Sequence, residues 1–178
     1  MKRMKKLILN GSPRQGNTVA AINAFMGGED KDFEIINLKA KKIAPCKACL
    51  FCKNEGNCID KDDTNEVMDK VEEADFILFA TPVYWWGVTA QLKLAIDKLY
   101  ARCNLLQGQK KKIGVIAIGE DELEGPQYRI IEDTFRCIAD YLGWDMVFYE
   151  PVSAGEKDDL ANRPDDLKKI AMLADKVK

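Results

Sequence analysis

The chain has 178 residues, 47% of them hydrophobic and 31% charged, with a formal net charge of −2 at pH 7, a length that suits one domain with one substantial core. That balance lacks the basic field of a nucleic-acid binder, and no apolar run reaches the roughly 20 residues of a membrane span. The apolar run after the basic residues 1–6 is also too short for a secretory signal, which predicts a cytoplasmic protein.

Histidine is absent and six cysteines are present. Catalytic triads and zinc sites that need imidazole are therefore excluded. Four of the cysteines fall between Cys46 and Cys58. In a reducing compartment, such a cluster points to metal or redox chemistry ahead of a disulfide framework.

Along the chain, Leu7-Ile8-Leu9 reads as a short strand ended by the turn cluster Asn10-Gly11-Ser12-Pro13. Thr18 to Met26 reads as a short helix closed by Gly27-Gly28, and Phe33 to Leu38 as the second strand. A cysteine-bearing loop follows, from about Lys41 to Asp60. Asp63-Thr64-Asn65-Glu66 has the form of a capping box, with the Asp63 carboxylate as acceptor, ahead of a helix that buries Val67, Met68, Val71 and Ala74. Phe76 to Ala80 is continuously apolar and suits a central parallel strand. Val88, Leu92, Ala95, Ile96 and Leu99 recur at helical spacing, and Ile113 to Ile118 is the fourth strand. Ile131, Phe135, Ile138 and Leu142 mark a helix capped by Gly143, and Met146 to Tyr149 belongs to the fifth strand. Pro164 opens a final helix with the face Leu167, Ile170, Ala171, Ala174 and Val177.

Strands alternating with helices require parallel crossovers. The expected fold is a single flavodoxin-like α/β domain over residues 1–178. It is a three-layer sandwich of five parallel strands in the order 2-1-3-4-5 with helices on both faces.

In such a sheet a ligand sits beyond the carboxyl ends of the strands, where the order reverses between strands one and three. The loop after strand one is Gly11-Ser12-Pro13-Arg14-Gln15-Gly16-Asn17-Thr18. Two glycines, two hydroxyls and an arginine ahead of a helix N-terminus suit a phosphate. A Walker loop would place Lys and then Ser or Thr after Gly16, where this chain has Asn17 and Thr18. A triphosphatase is therefore disfavoured, as is tight NAD binding in the absence of G-x-G-x-x-G, and a single terminal phosphate fits best. The loop after strand three, Thr81-Pro82-Val83-Tyr84-Trp85-Trp86-Gly87, sets three consecutive aromatics on a turn. Wide amphipathic rings at a crevice suit a planar aromatic ligand or a self-association surface.

These residues, Gly11-Ser12-Pro13-Arg14-x-Gly16-Asn17-Thr18, the cysteine loop ending in Asp62-Asp63, and Thr81-Pro82-Val83-Tyr84, resemble the NADPH-dependent flavin mononucleotide (FMN) reductase group. Within it they look closest to the iron–sulfur flavoproteins and their cluster-free relatives. The resemblance covers roughly residues 4 to 150. It implies FMN at the strand ends near a subunit interface, and a homodimer or homotetramer. By position, Ser12, Arg14, Gly16, Asn17 and Thr18 would take the phosphate, and Pro82, Val83, Tyr84, Trp85, Trp86 and Gly87 would line the isoalloxazine. The acidic loop Gly119 to Gly125 would close the other side. Lys93 and Asp97 match a recurring pattern of the group, but read best as a surface helix pair. Cys103 and Cys137 are expected to pack as small hydrophobes.

The leading reading is an enzyme in which NAD(P)H reduces bound FMN, which then reduces a small-molecule or protein acceptor such as a quinone or a flavin; the cofactor carries the chemistry, so no acid–base residue is required. An alternative is electron transfer between FMN and a [4Fe-4S] cluster on Cys46, Cys49, Cys52 and Cys58. Their C-x2-C-x2-C-x5-C spacing resembles compact ferredoxin runs. Structural zinc and free thiols compete for the same four residues. A third reading is a flavin-free nucleotide-binding regulator. Neither nucleic acid nor membrane is expected as a partner.

Overall fold

The computed structural model describes residues 3–27 and 33–177; Gly28, half of the expected helix stop, lies outside them. Strand β1 (Lys6–Asn10) leads into helix α1 (Asn17–Met26), which ends as expected where Gly27 turns left-handed at φ 60°. There follow β2 (Phe33–Asn37), the cysteine loop with the single turn α2 (Cys52–Glu55), α3 (Thr64–Glu73), β3 (Phe76–Pro82), α4 (Ala90–Lys98), the single turn α5 (Cys103–Leu106), β4 (Lys112–Gly119), α6 (Pro126–Leu142), β5 (Asp145–Ser153) and α7 (Pro164–Met172). All five strands are parallel, in the order β2-β1-β3-β4-β5. This is the flavodoxin-like order expected from the sequence.

Side chains alternate across a strand, and that alternation divides the core in two. Leu7, Leu9, Ile77, Phe79, Val115 and Ala117 face α3, α4 and α6. Ile8, Phe76, Leu78, Ala80, Ile116 and Ile118 face α1 and α7. Burial on both faces is why the central strands read as unbroken apolar runs. On the α1 side, Phe148 packs against Phe25 and Phe76, with ring centroids 5.6 and 6.3 Å away. A Cβ at Gly114 would lie 2.2 Å from the Phe148 ring, and the β4–β5 register shifts between Ile113 and Gly114. A glycine is required there by close approach.

Two local expectations need correction. Helix α3 starts at Thr64 as expected, but the Asp63 carboxylate caps nothing. It accepts from the Lys42 N–H (2.6 Å), while Asp62 accepts from the N–H groups of Thr64 (2.9 Å) and Ala44 (2.7 Å), and Glu66 pairs with Lys41. The carboxylates are drawn off to hold the incoming loop through its backbone N–H groups. Cys103 packs against the core, whereas Cys137 is exposed, on the outer face of α6.

Candidate functional site

The loop after β1 is tied down by its neighbours. Gly11 N–H donates to the Ala80 carbonyl (2.8 Å), and Thr89 Oγ1, at the N-cap of α4, donates to the Gly11 carbonyl (2.7 Å). A Cβ at Gly11 would stand 2.9 Å from Thr89 Oγ1 and 3.0 Å from Leu92 Cβ. Ser12 Oγ donates to the Arg14 carbonyl (2.8 Å), which curls the loop and leaves the Arg14 side chain exposed. The first bond of α1 runs from Ala20 N–H to the Gly16 carbonyl. The N–H groups of Asn17, Thr18 and Val19 precede it, without a side-chain cap, at the positive end of the helix dipole.

Asn17 behaves differently from its neighbours. Its side chain is buried, donates to the carbonyls of Ala154 (3.3 Å) and Glu156 (2.7 Å), and accepts from Leu160 N–H (3.1 Å). It therefore ties the loop after β5 to the start of α1, and only its backbone remains for an anion.

After β3 the chain makes a tight turn in which Tyr84 and Gly87 exchange N–H···O bonds of 2.9 and 3.0 Å. Trp85 and Trp86 occupy it at φ 47° and 59°, in the left-handed region that costs a bulky residue about 1–3 kcal/mol each. Trp85 is 90% exposed. Among surface aromatics this is an expensive arrangement, and such strain clusters at functional sites.

The two loops face one open cavity of about 490 Å³, within the range of small-molecule sites. Ser12, Arg14, Gly16, Asn17 and Thr18 form one wall, and Pro82, Val83, Tyr84, Trp85 and Trp86 another. Gly119 joins them, with Glu120 and Asp121 of the acidic loop. Gly87 does not line the cavity and serves to close the aromatic turn. Ile118, Gln127, Ala154 and Gly155 also line it and were not singled out from the sequence. Ile118, Ala154 and Gly155 follow from the strand-end rule once the ends of β4 and β5 are known. Gln127 carries no sequence signal; it is buried at the start of α6, and its Oε1 lacks a hydrogen-bond partner. The Tyr128 hydroxyl donates to the carbonyls of Asp121 (3.0 Å) and Val152 (3.2 Å), holding the acidic loop against β5, and burial pushes its phenol up.

The cysteine loop forms a second place of interest. Cys46, Cys49, Cys52 and Cys58 line one small cavity of about 40 Å³, together with Asp60, Asp97 and Lys98. Ala48 (φ 53°) and Leu50 (φ 60°) are left-handed between the first three cysteines. Non-glycine residues adopt that region rarely, and here it reverses the chain between successive thiols. Cys58 is clamped by Asn65, which accepts from its N–H (2.8 Å) and donates to its carbonyl (2.9 Å). Burial pushes the Cys52 thiol up, and the neighbouring cysteines add to it. Asp60 is held down at about 2 by hydrogen bonds from Lys47 and Lys98. Among the described residues, no three Cys, Asp or Glu side chains close to single-ion distances. The thiols surround a space rather than meet at a point. Lys93 and Asp97 pair at 2.6 Å on the exposed side of α4.

A flavodoxin-like sheet with a phosphate-type loop and an aromatic loop at its switch point defines a nucleotide-binding α/β protein. Residues 4–129 match the NADPH-dependent FMN reductase family. The chain belongs to that family and is an FMN-dependent oxidoreductase. It is 38% identical over 131 residues to an iron–sulfur flavoprotein of Methanocaldococcus jannaschii, covering 71% of this chain and 68% of the relative. An iron–sulfur flavoprotein of Archaeoglobus fulgidus is 31% identical over 184 residues, covering 98% and 79%. Among solved structures, an NAD(P)H:quinone oxidoreductase from Methanothermobacter marburgensis shares the fold with a TM-score of 0.72 at 15% identity, covering 99% of this chain and 97% of that one. An FMN-dependent NADH-azoreductase from Bacillus anthracis in complex with FMN gives 0.68 at 14% identity, covering 97% and 98%.

Proposed function

We propose that FMN occupies the strand-end cavity with its phosphate on the β1–α1 loop and its isoalloxazine against the aromatic turn. The observation that carries this is one cavity walled by both loops. Its donor set fits the ligand: the backbone N–H groups at the start of α1, the Thr18 hydroxyl and the Arg14 guanidinium suit a phosphate dianion. Val83, Tyr84 and Trp85 offer apolar and aromatic surface to the ring. The orphaned Gln127 Oε1 is an acceptor at the wall, and an isoalloxazine carries an imide N–H to meet it. When bound, FMN takes a hydride from NAD(P)H and passes electrons to an acceptor. The chain's own part is to hold the phosphate, seat the ring and leave one ring face open to the nicotinamide and the acceptor. Similarity to quinone oxidoreductases and azoreductases supports small aromatic acceptors, a quinone or a flavin. The exposed Trp85 and Trp86 support a homodimer or homotetramer that covers them. No helix among the described residues is long and apolar enough to cross a membrane, and six free thiols support a reducing cytoplasm. The working unit is then one FMN-binding domain over the whole chain. Flavin analysis of purified protein, with NADH and NADPH oxidation in the presence of quinones, tests it; protein that binds no flavin would refute it.

A second reading has its own observation. The four cysteines line one cavity with left-handed backbone between them, a donor set that suits a [4Fe-4S] cluster. When bound, such a cluster exchanges single electrons. The relatives named iron–sulfur flavoproteins support it. Iron and sulfide analysis with electron paramagnetic resonance on anaerobically prepared protein decides between this and free thiols.

A further inference from the structure

Lys98, the last residue of α4, is 2% exposed. A buried lysine is uncommon unless it is paired. Its ammonium lies 2.9 Å from Asp60 Oδ2 and 3.3 Å from Cys58 Sγ, in the wall of the cysteine cavity. The same Asp60 accepts from Lys47 on its other oxygen (2.8 Å), so two ammonium groups share one carboxylate. Asp97 also lines the cavity, but it is paired with Lys93 at 2.6 Å on the exposed side. Arg102, another buried cation, is neutralised by Asp69 and Glu72 and reaches Gly56 and Asn57 of the loop. Asp60 Oδ2 itself lies 3.8 Å from Cys58 Sγ, so the ammonium, at 3.3 Å, is the nearer of the two charges to that sulfur.

We infer that Lys98 is a positioning residue that sets the reduction potential of the cysteine site, by donating a charge-assisted N–H···S hydrogen bond to Cys58. This rests on the cluster reading. One-electron reduction adds one negative charge to a thiolate-bound cluster. A cation and a hydrogen bond at a ligand sulfur stabilise that state more than the oxidised one, because hydrogen bonds to sulfur and net charge govern such potentials. Lys98 thereby raises the potential, and Asp60 moderates the rise by sharing the ammonium. The geometry suits this more than a purely structural role. An apolar helix end would pack the same wall without burying a charge.

The test uses the full chain, purified anaerobically, with iron and sulfide analysis followed by a dithionite titration read by electron paramagnetic resonance. Lys98→Met should retain iron and sulfide. At a fixed potential its reduced-to-oxidised ratio should fall at least tenfold, a negative shift of about 59 mV for one electron. Lys98→Arg keeps the charge and should stay near the wild type. A fully loaded Lys98→Met with an unchanged potential overturns the inference. If Lys98→Met does not fold or load, Lys98→Gln, which removes the charge with a polar side chain, decides: a loaded variant at the wild-type potential overturns it equally. Wild-type protein without iron or sulfide instead removes the cluster reading, and the inference falls with it.

Discussion

Replacing Arg14 with Ala separates phosphate recognition from ring recognition. Arg14 stands at the cavity mouth on a loop curled by Ser12 Oγ, and its side chain is exposed. A hydrogen bond to a charged group contributes about 1.5–3 kcal/mol, and solvent exposure places this one at the lower end. About 1.5 kcal/mol corresponds to roughly tenfold weaker FMN binding. Riboflavin, which lacks the phosphate, should lose less than about twofold. The loss should shrink as ionic strength rises, because the Debye length is about 10 Å at 0.1 M salt. Titration of apoprotein with each flavin, followed by flavin fluorescence, reads both constants. Asn17→Ala is the contrasting control: its side chain holds the β5–α7 loop through three bonds, so it should weaken both flavins and lower stability by about 1–3 kcal/mol. Equal losses of FMN and riboflavin in Arg14→Ala would show that Arg14 does not meet the phosphate.

Three further outcomes are expected. FMN should quench tryptophan fluorescence, and Trp85→Ala, at a 90% exposed position, should remove much of that quenching while changing stability by less than about 0.5 kcal/mol in urea. Gly114→Ala places a Cβ against the Phe148 ring within the Phe25–Phe76 cluster and should destabilise by about 1–3 kcal/mol, or more if the rings cannot shift; an unchanged urea midpoint would mean that the rings yield freely. Lys111 is buried with its ammonium on the carbonyls of Glu72 and Ala74, and burial lowers it from 10.5 to about 8. Between those values the unfolded chain holds the proton and the folded one does not, so this group's contribution to stability grows from pH 8 to 10.5 and is lost as pH falls back through that range. The stability difference between wild type and Lys111→Met should follow that slope in urea titrations at several pH values.

Much of this protein was legible in its sequence because the signals are local. Alternating apolar runs and helical spacing specify five strands and the helices between them. Glycines at 11 and 16 mark the loop where backbone must pass close to backbone, and three consecutive aromatics on a turn can scarcely all be buried. The strand order then brings the ends of β1 and β3 side by side. What only the tertiary structure decided are pairings across long stretches of chain. The Asn17 side chain meets residues 154–160, which no spacing rule predicts, and so acts as a tie between elements. Asp62 and Asp63 turn to the backbone N–H groups of Ala44 and Lys42, which chain packing brings within reach some twenty residues away. Gln127 reaches the cavity because α6 begins beside it. No local sequence pattern marks Lys98. It faces Cys58, 40 residues earlier, because packing of the cysteine loop on the end of α4 places it there.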